Sequence, residues 1–335
     1  MAHQSLLALS DLERNRKLAI GNRQSAIAFL FPGQGSQYAG MGKDLAEKFP
    51  AARQVFEEAD AALSFALSEV CFNGPAEQLQ LTENTQPAIL AVSVAALRAM
   101  ESEGLAAPDY VAGHSLGEYS ALVAAGSLSL TDAVRTVRAR GRYMQEAVPV
   151  GTGAMAAILG ADLNVVVAAC EEAGQGQVCS AANINSTNQV VIAGDSDAID
   201  RAIVLVKERG AKRAVKLKVS APFHCALMKP AQDRLAADLE SISFADLQVP
   251  LVTNVDAGVV TTGAQARAAL IRQVTQPVRW LESVEFLTGH GVQSLVEIGP
   301  GKVLSGLVRH IDRNLSCVNI EDEASLRAAR EALGA

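Results

Sequence analysis

One serine lies in the pattern that most clearly indicates chemistry in this sequence. Ser115 stands in the segment Gly113-His114-Ser115-Leu116-Gly117, between an apolar run and a helical pattern. Small residues on both sides allow a sharp turn from strand to helix, which exposes the serine oxygen and presents the following amide to an oxyanion. The alternative is a serine that caps an ordinary turn. We interpret Ser115 as the covalent nucleophile of an acyl-transferring enzyme.

A serine hydroxyl needs a base to take its proton as it attacks. The chain has five histidines, and His224 follows Ala221-Pro222-Phe223 at a predicted junction between two units, where a cleft is expected. The others lie near a terminus, in a loop, or directly beside the serine with the ring pointing away: His3, His310, His290 and His114. Elimination therefore makes His224 the candidate base.

The elements that position these residues follow an α/β pattern. Buried strands are predicted at 26–31 and 110–113, and helical spacing runs from 45 to 67. Residues 151–221 follow the order β-α-β-β-α-β of a ferredoxin-like unit. We expect an α/β-hydrolase-like core with a parallel sheet, formed by residues 24–150 and 222–335. The ferredoxin-like subdomain is inserted into this core, and residues 1–23 form an N-terminal extension.

Composition excludes several classes of protein. The 335 residues are 49% hydrophobic and 19% charged, as in globular domains, and the net charge of −7 argues against non-specific nucleic-acid binding. Five widely spaced cysteines indicate reduced thiols in a cytoplasmic protein. No run of 18 apolar residues predicts a membrane span. Segment 4–20 has apolar and charged residues at roughly helical spacing, which favours a cloning-derived or accessory helix, and its acidic residues argue against a transit peptide.

Further segments between residue 26 and about residue 325 resemble those of one known family and occur in the same order as in that family. The chain resembles the malonyl-CoA:acyl carrier protein transacylases of type II fatty acid synthesis. The matching segments are Phe31 to Gln37, Gly113 to Ala121, Arg140-Gly141, Gly151 to Ala156, Asn183 with Asn185, Gln189 to Gly194, His224 to Met228, Gln273, and Glu297 to Lys302.

The resemblance implies a two-step reaction. Ser115 takes the malonyl group from coenzyme A as an ester, and the phosphopantetheine thiol of acyl carrier protein then accepts it. His224 acts first as base and then as acid, oriented by the backbone carbonyl of Gln273. Without the resemblance, Gln273 reads as an exposed helix glutamine. The amides of Gln34 and Leu116 are implied as the oxyanion hole.

The resemblance also implies a substrate pocket. Arg140 is expected to bind the free carboxylate of the malonyl group, because a guanidinium matches a carboxylate with two parallel hydrogen bonds. Phe223 suits malonyl by limiting the space beside its α-carbon. Many fatty-acid enzymes have serine there, so a polyketide role stays open. Met144, Asn183 and Val219 are further pocket candidates, and hydrophobic core is the alternative for Met144 and Val219.

The expected partners are malonyl-CoA and acyl carrier protein. Neither nucleic acid nor membrane is expected, no metal, nucleotide or flavin cofactor is called for, and we expect a monomer. A basic face for the acidic carrier is predicted, although such residues on an edge strand also serve solubility: Lys212, Arg213, Lys216 and Lys218. Alternative functions are a free-standing polyketide acyltransferase, a serine esterase or phospholipase, and a non-catalytic carrier-docking protein.

Overall fold

The computed structural model describes residues 26–334. Its strands are β1 (Ala26–Phe31), β2 (Tyr110–Gly113), β3 (Gly153–Leu159), β4 (Cys179–Ser186), β5 (Gln189–Asp195), β6 (Arg213–Lys216), β7 (Leu251–Val252), β8 (Val259–Val260), β9 (Val292–Ile298) and β10 (Ser316–Ile320). Its helices are α1 (Lys43–Lys48), α2 (Pro50–Leu63), α3 (Leu67–Asn73), α4 (Ala76–Gln80), α5 (Thr82–Ser102), α6 (Gly117–Ala124), α7 (Leu130–Glu146), α8 (Leu163–Gly174), α9 (Ser196–Glu208), α10 (Lys229–Glu240), α11 (Gly263–Gln273), α12 (Trp280–Gly289), α13 (Val303–Ile311) and α14 (Glu323–Leu333). A short 3₁₀ turn, Ala226–Met228, precedes α10.

The larger sheet is mostly parallel, in the order β10-β9-β1-β2-β7-β8, and only β8 runs antiparallel to its neighbour. Its central strand β1 is apolar along its whole length and buried from its second residue onward, which suits a parallel sheet covered on both faces. On one side α5 is buried along nearly its whole length. These features confirm the predicted α/β fold with a parallel sheet.

The smaller sheet is antiparallel, in the order β4-β5-β3-β6. Alternate residues of β3 point to opposite faces. Ala156 and Ile158 pack with α8 and α9, whereas Met155 joins the core of the larger region. With its two helices this is the predicted β-α-β-β-α-β unit. The boundaries proposed for it, 151 and 221, stay a prediction.

The segment 45–67, where helical spacing was predicted, is divided between two helices, α1 and α2, and α3 begins at its last residue. Phe49 adopts an extended conformation after α1, and Pro50 then begins α2 at a position where the missing N–H has no cost. Ser64 adopts a left-handed conformation and ends α2. In the described part of the chain, no helix combines the length and apolarity needed to cross a bilayer. The predicted extension 1–23 lies outside the described residues.

Candidate active site

Ser115 lies in the turn between β2 and α6, at the carboxyl edge of the parallel sheet. Its φ of 52° is left-handed, a conformation that costs a non-glycine residue about 1–3 kcal/mol. The turn is possible because the neighbouring glycines carry no Cβ. A Cβ on Gly117 would lie 2.0 Å from the carbonyl oxygen of Phe31, and one on Gly113 would lie 1.9 Å from the carbonyl carbon of Gly117. The predicted strand-turn-helix setting is therefore present.

The imidazole of His224 lies beside the serine oxygen. Its Nε2 lies 2.7 Å from Ser115 Oγ, and its Nδ1 lies 2.8 Å from the backbone carbonyl oxygen of Gln273. A carbonyl oxygen only accepts, so Nδ1 carries the proton and Nε2 is free to accept from the serine hydroxyl. Burial, together with the charge of Arg140, lowers the pKa of His224 to about 3. The imidazole is therefore neutral and ready to act as a base.

Gln273, the last residue of α11, has no exposed surface. The alternative interpretation of this residue as an exposed helix glutamine is therefore wrong. Its backbone occupies the position that a carboxylate holds in a Ser-His-Asp triad. Its side chain adds three contacts: Nε2 donates to the Ser115 carbonyl at 2.8 Å and to the Glu118 carboxyl group, and Oε1 accepts from Arg140 Nη2 at 2.9 Å. One residue therefore touches the serine, the histidine and the arginine.

Arg140 projects from α7 into the cavity and is only 2% exposed. Its Nη2 lies 3.1 Å from Ser115 Oγ, and its Nη1 donates to Gln86 Oε1 at 2.8 Å. Its Nε has no partner among the described residues. Arg135 and Arg142 of the same helix are exposed. A buried cation beside the nucleophile, with one donor unpaired, is suited to an anionic group held next to the reacting carbonyl.

Three residues of the site were missed by the sequence analysis: Gln86, which contacts Arg140, and Asn254 and Glu118. Asn254, just after β7, accepts from the Ser115 amide through Oδ1 at 2.7 Å and donates from Nδ2 to the Gly113 carbonyl at 2.7 Å. Glu118, fully buried on α6, accepts from the Asn254 amide and from Gln273 Nε2. Burial raises the pKa of Glu118 to about 8, against the opposing effects of these bonds and of Arg140.

Ser115, His224 and Arg140 line a cavity of about 750 Å³ between the two sheets. Gln34 and Leu116 line it, and their backbone amides donate to no other atom of residues 26–334. Two unoccupied amides beside a nucleophilic serine are what an oxyanion hole needs. The remaining pocket candidates also line the cavity: Met144, Asn183, Val219 and Phe223. Of these, Val219 is 38% exposed at the mouth and the others are buried.

The basic residues predicted to receive the carrier are not equivalent. Lys216 binds Asp200 at 2.9 Å, so its charge is already paired. Lys218 lines the main cavity. Lys212 lines a second cavity of about 580 Å³, which also contains Lys302 and His310. Arg213 is exposed at the start of β6, which is an edge strand as predicted.

Among the described residues, no group of three or more histidine, cysteine, aspartate or glutamate side chains is placed to hold a metal ion. The geometry instead combines a serine, a neutral imidazole within hydrogen-bond distance of its oxygen, and free amides beside it. This is the arrangement of an enzyme that carries an acyl group as a serine ester.

Comparison with known proteins identifies the family. Residues 28–325 match the model of the acyl transferase domain, and the chain belongs to that family. The malonyl CoA-acyl carrier protein transacylase of Escherichia coli K12 is 52% identical over 305 residues, which cover 91% of this chain and 99% of the relative.

Solved structures agree with this assignment. An acyl carrier protein S-malonyltransferase from Vibrio cholerae has a TM-score of 0.89 and 50% identity, covering 91% of this chain and all of that one. A malonyl-transacylase in complex with its type II polyketide synthase acyl carrier protein has a TM-score of 0.90 and 51% identity. It covers 92% of this chain and all of that one.

Proposed function

We propose that this chain transfers a malonyl group from malonyl-CoA to the phosphopantetheine thiol of an acyl carrier protein and so supplies extender units for fatty acid synthesis. The observation that carries the proposal is the position of Ser115 Oγ, 2.7 Å from the neutral His224 imidazole and 3.1 Å from the buried Arg140 guanidinium. The names of the relatives, which include malonyl CoA-acyl carrier protein transacylases at about half identity, support the same substrate and acceptor.

The first half-reaction forms the malonyl ester. Ser115 Oγ attacks the thioester carbonyl while its proton moves to His224 Nε2, and the developing oxyanion is held by the amides of Gln34 and Leu116. The tetrahedral intermediate then collapses. The C–S bond breaks, and His224 returns the proton to the departing coenzyme A thiolate.

The second half-reaction repeats these steps with the carrier thiol as nucleophile. His224 takes the thiol proton, the sulfur attacks the ester carbonyl, and the proton returns to Ser115 Oγ as the C–O bond breaks. Throughout, Arg140 holds the malonyl carboxylate through Nη1, which exchanges its bond to Gln86 for the substrate, while Nη2 keeps its bond to Gln273. An acetyl group would leave this buried cation without an anionic partner.

The carrier is proposed to approach along the smaller sheet, where Lys218 and Lys212 face the two cavities. Positive charge at the cavity mouth attracts an acidic partner and raises its rate of association. We also propose that the protein works as a monomer in the cytoplasm, without a cofactor, coenzyme A entering only as part of the substrate.

Service to a polyketide carrier is the second candidate. It is favoured by Phe223, buried at 9% exposure against the cavity, and by the likeness to a transacylase solved with a polyketide carrier protein. Measured kcat/KM values for a fatty-acid carrier and a type II polyketide carrier would separate the two, because the true acceptor should have the lower KM.

The test of transfer uses radiolabelled malonyl-CoA. Wild-type protein should retain label after denaturation, Ser115→Ala should retain none, and added carrier protein should discharge the label faster than water does. Release as free malonate at the same rate without carrier would instead identify a hydrolase.

A further inference from the structure

The turn that carries Ser115 is held by hydrogen bonds to both backbone groups of this residue, its amide and its carbonyl. The Ser115 amide donates to Asn254 Oδ1 at 2.7 Å, and the Ser115 carbonyl accepts from Gln273 Nε2 at 2.8 Å. The side chain of Asn254 also binds the Gly113 carbonyl, so it spans the turn. A left-handed backbone at a non-glycine residue persists only when its surroundings hold it there. Asn254 and Gln273 supply these contacts.

Both of these residues are bound to the same carboxyl group. One oxygen of Glu118 accepts from the backbone amide of Asn254, and the other accepts from Gln273 Nε2. Glu118 lies 136 residues from Asn254 and 155 residues from Gln273 in the sequence. It is fully buried on a helix with few other polar side chains, so these two bonds account for its placement.

The contact with Glu118 also fixes which way the Gln273 amide faces. The NH₂ group lies against two acceptors, the Ser115 carbonyl and the Glu118 carboxyl, whereas Oε1 lies against the Arg140 donor. Rotating the amide by half a turn would place NH₂ against the guanidinium and oxygen against two acceptors. The carboxyl group therefore decides whether Arg140 meets an acceptor at this position.

We propose that Glu118 is a positioning residue for acyl transfer: through Asn254 and Gln273 it holds the Ser115 turn, and through the Gln273 amide it holds Arg140 beside the serine oxygen. Glu118 touches neither the serine oxygen nor the space for the substrate. This role adds a positioning residue to the proposed acyl transfer and rests on that proposed function.

The main test replaces Glu118→Gln, which keeps the shape of the side chain. Both oxygens of a carboxyl group can accept a hydrogen bond, with or without a proton on the group, whereas the nitrogen of an amide cannot, so one of the two N–H donors loses its bond. Glu297→Gln is the matched control. Glu297 is also fully buried and accepts from the Leu304 and Ser305 amides, but it makes no contact with Ser115, Arg140 or His224.

Two rates are measured on the folded, full-length variants, together with Tm. The first is acylation of Ser115 by malonyl-CoA in a single turnover, separated into its maximal rate and its half-saturating concentration. The second is inactivation by phenylmethylsulfonyl fluoride, which transfers its sulfonyl group to the serine oxygen, releases fluoride, and uses no malonyl group.

We expect Glu118→Gln to lower the maximal acylation rate and the inactivation rate at least about tenfold, the effect of losing one oriented contact in a catalytic array. The ratio of malonyl to acetyl acylation should fall as well, because Arg140 loses its fixed acceptor. Glu297→Gln should keep both rates within about threefold of the wild-type rates, even if it lowers Tm as much as Glu118→Gln does.

Rates of Glu118→Gln that match those of Glu297→Gln at an equal loss of Tm would overturn the proposal and leave Glu118 a structural residue. If Glu118→Gln does not fold, Glu118→Asp decides. It keeps the carboxyl group but is one methylene too short for both bonds, so wild-type rates in that variant would equally overturn the proposal. If wild-type protein reacts with the fluoride but not with malonyl-CoA, the proposed function fails, and the fluoride rates still test the positioning of Ser115.

Discussion

The two sheets contribute differently to one cavity. The larger region supplies the reacting groups, and short hydrogen bonds join Ser115, His224, Gln273 and Arg140 into one network. The smaller sheet supplies cavity walls such as Met155 and Val191 and the lysines at the edge, but none of the groups in that network. The comparison teaches that the chemistry is fixed by one region, whereas the other sets the shape and charge around it.

The largest effect is expected from His224→Ala in the larger region. Without the imidazole the serine proton has no acceptor, so malonyl-CoA acylation should fall at least about a thousandfold. Lys216→Ala, on the smaller sheet, removes a surface ion pair with Asp200 and should leave the rate within about twofold. Single-turnover kinetics measure both, and a comparable loss in the two variants would contradict the division between the regions.

The second-largest effect is expected from Arg140→Ala, which should change the selectivity for malonyl over acetyl groups. Losing the guanidinium should lower malonyl acylation at least about a hundredfold, as expected when one partner of a buried charge pair is removed. Acetyl transfer should rise, because the pocket no longer holds an unpaired cation. Competition between malonyl-CoA and acetyl-CoA measures the ratio, and an unchanged ratio would remove Arg140 from its assigned role.

The pH dependence of acylation tests the environment of His224. An ordinary histidine of pKa 6.5 would lose roughly 25-fold in neutral form between pH 7 and pH 5. The pKa of His224 is lowered to about 3, so kcat/KM should stay flat over this range, which also lies below the pKa of about 8 for Glu118. A midpoint near pH 6.5 would show that the imidazole is not desolvated.

The free energy of unfolding should depend on pH because of the same lowered pKa of His224. Between about pH 6.5 and 3 the unfolded chain binds a proton at His224 that the folded chain does not. This residue therefore contributes stability above pH 6.5, and the contribution is lost as the pH falls towards 3. Urea unfolding of wild type and His224→Gln at pH 7 and pH 5 measures it, with the smaller pH response expected in the variant.

Alanine at two glycines compares the packing of the two regions. Gly117→Ala should cost about 1–3 kcal/mol or more, because the added methyl group meets the Phe31 carbonyl at 2.0 Å. Gly174→Ala, at the end of α8 in the smaller region, meets nothing within 4 Å and should change stability by less than about 1 kcal/mol. Urea unfolding measures both, and equal costs would show that the turn at Ser115 can relax.

The smallest effect is expected at the mouth of the cavity. Lys212→Glu combined with Lys218→Glu should raise KM for the carrier about three- to tenfold while single-turnover acylation changes little, because long-range attraction alters association. Lys207→Glu on α9, a helix packed on the face of the smaller sheet away from the cavity, is the control for each charge reversal. An equal rise in KM for the carrier in Lys207→Glu would show that the carrier does not bind at the mouth of the cavity.

The sequence allowed the turn at Ser115 to be predicted, because glycines at 113 and 117 between an apolar run and a helical pattern have a local physical meaning. Arg140 and Gln273 needed a family resemblance, since nothing local separates Arg140 from Arg135 or Arg142. Glu118 stood inside the recognised motif, but its partners lie 136 and 155 residues away. Contacts at that separation are set by packing and leave no local pattern.

The charge of Arg140 has a consequence for the strength of the base. In the free protein this cation helps to lower the pKa of His224. An acyl group that carries its own carboxylate would offset the cation when it binds, and the imidazole would then hold a proton more readily. The donor substrate thus strengthens the base that acts on it, whereas a neutral acyl group entering the same cavity leaves the base weak. Discrimination would then arise in the proton transfer itself as well as in binding.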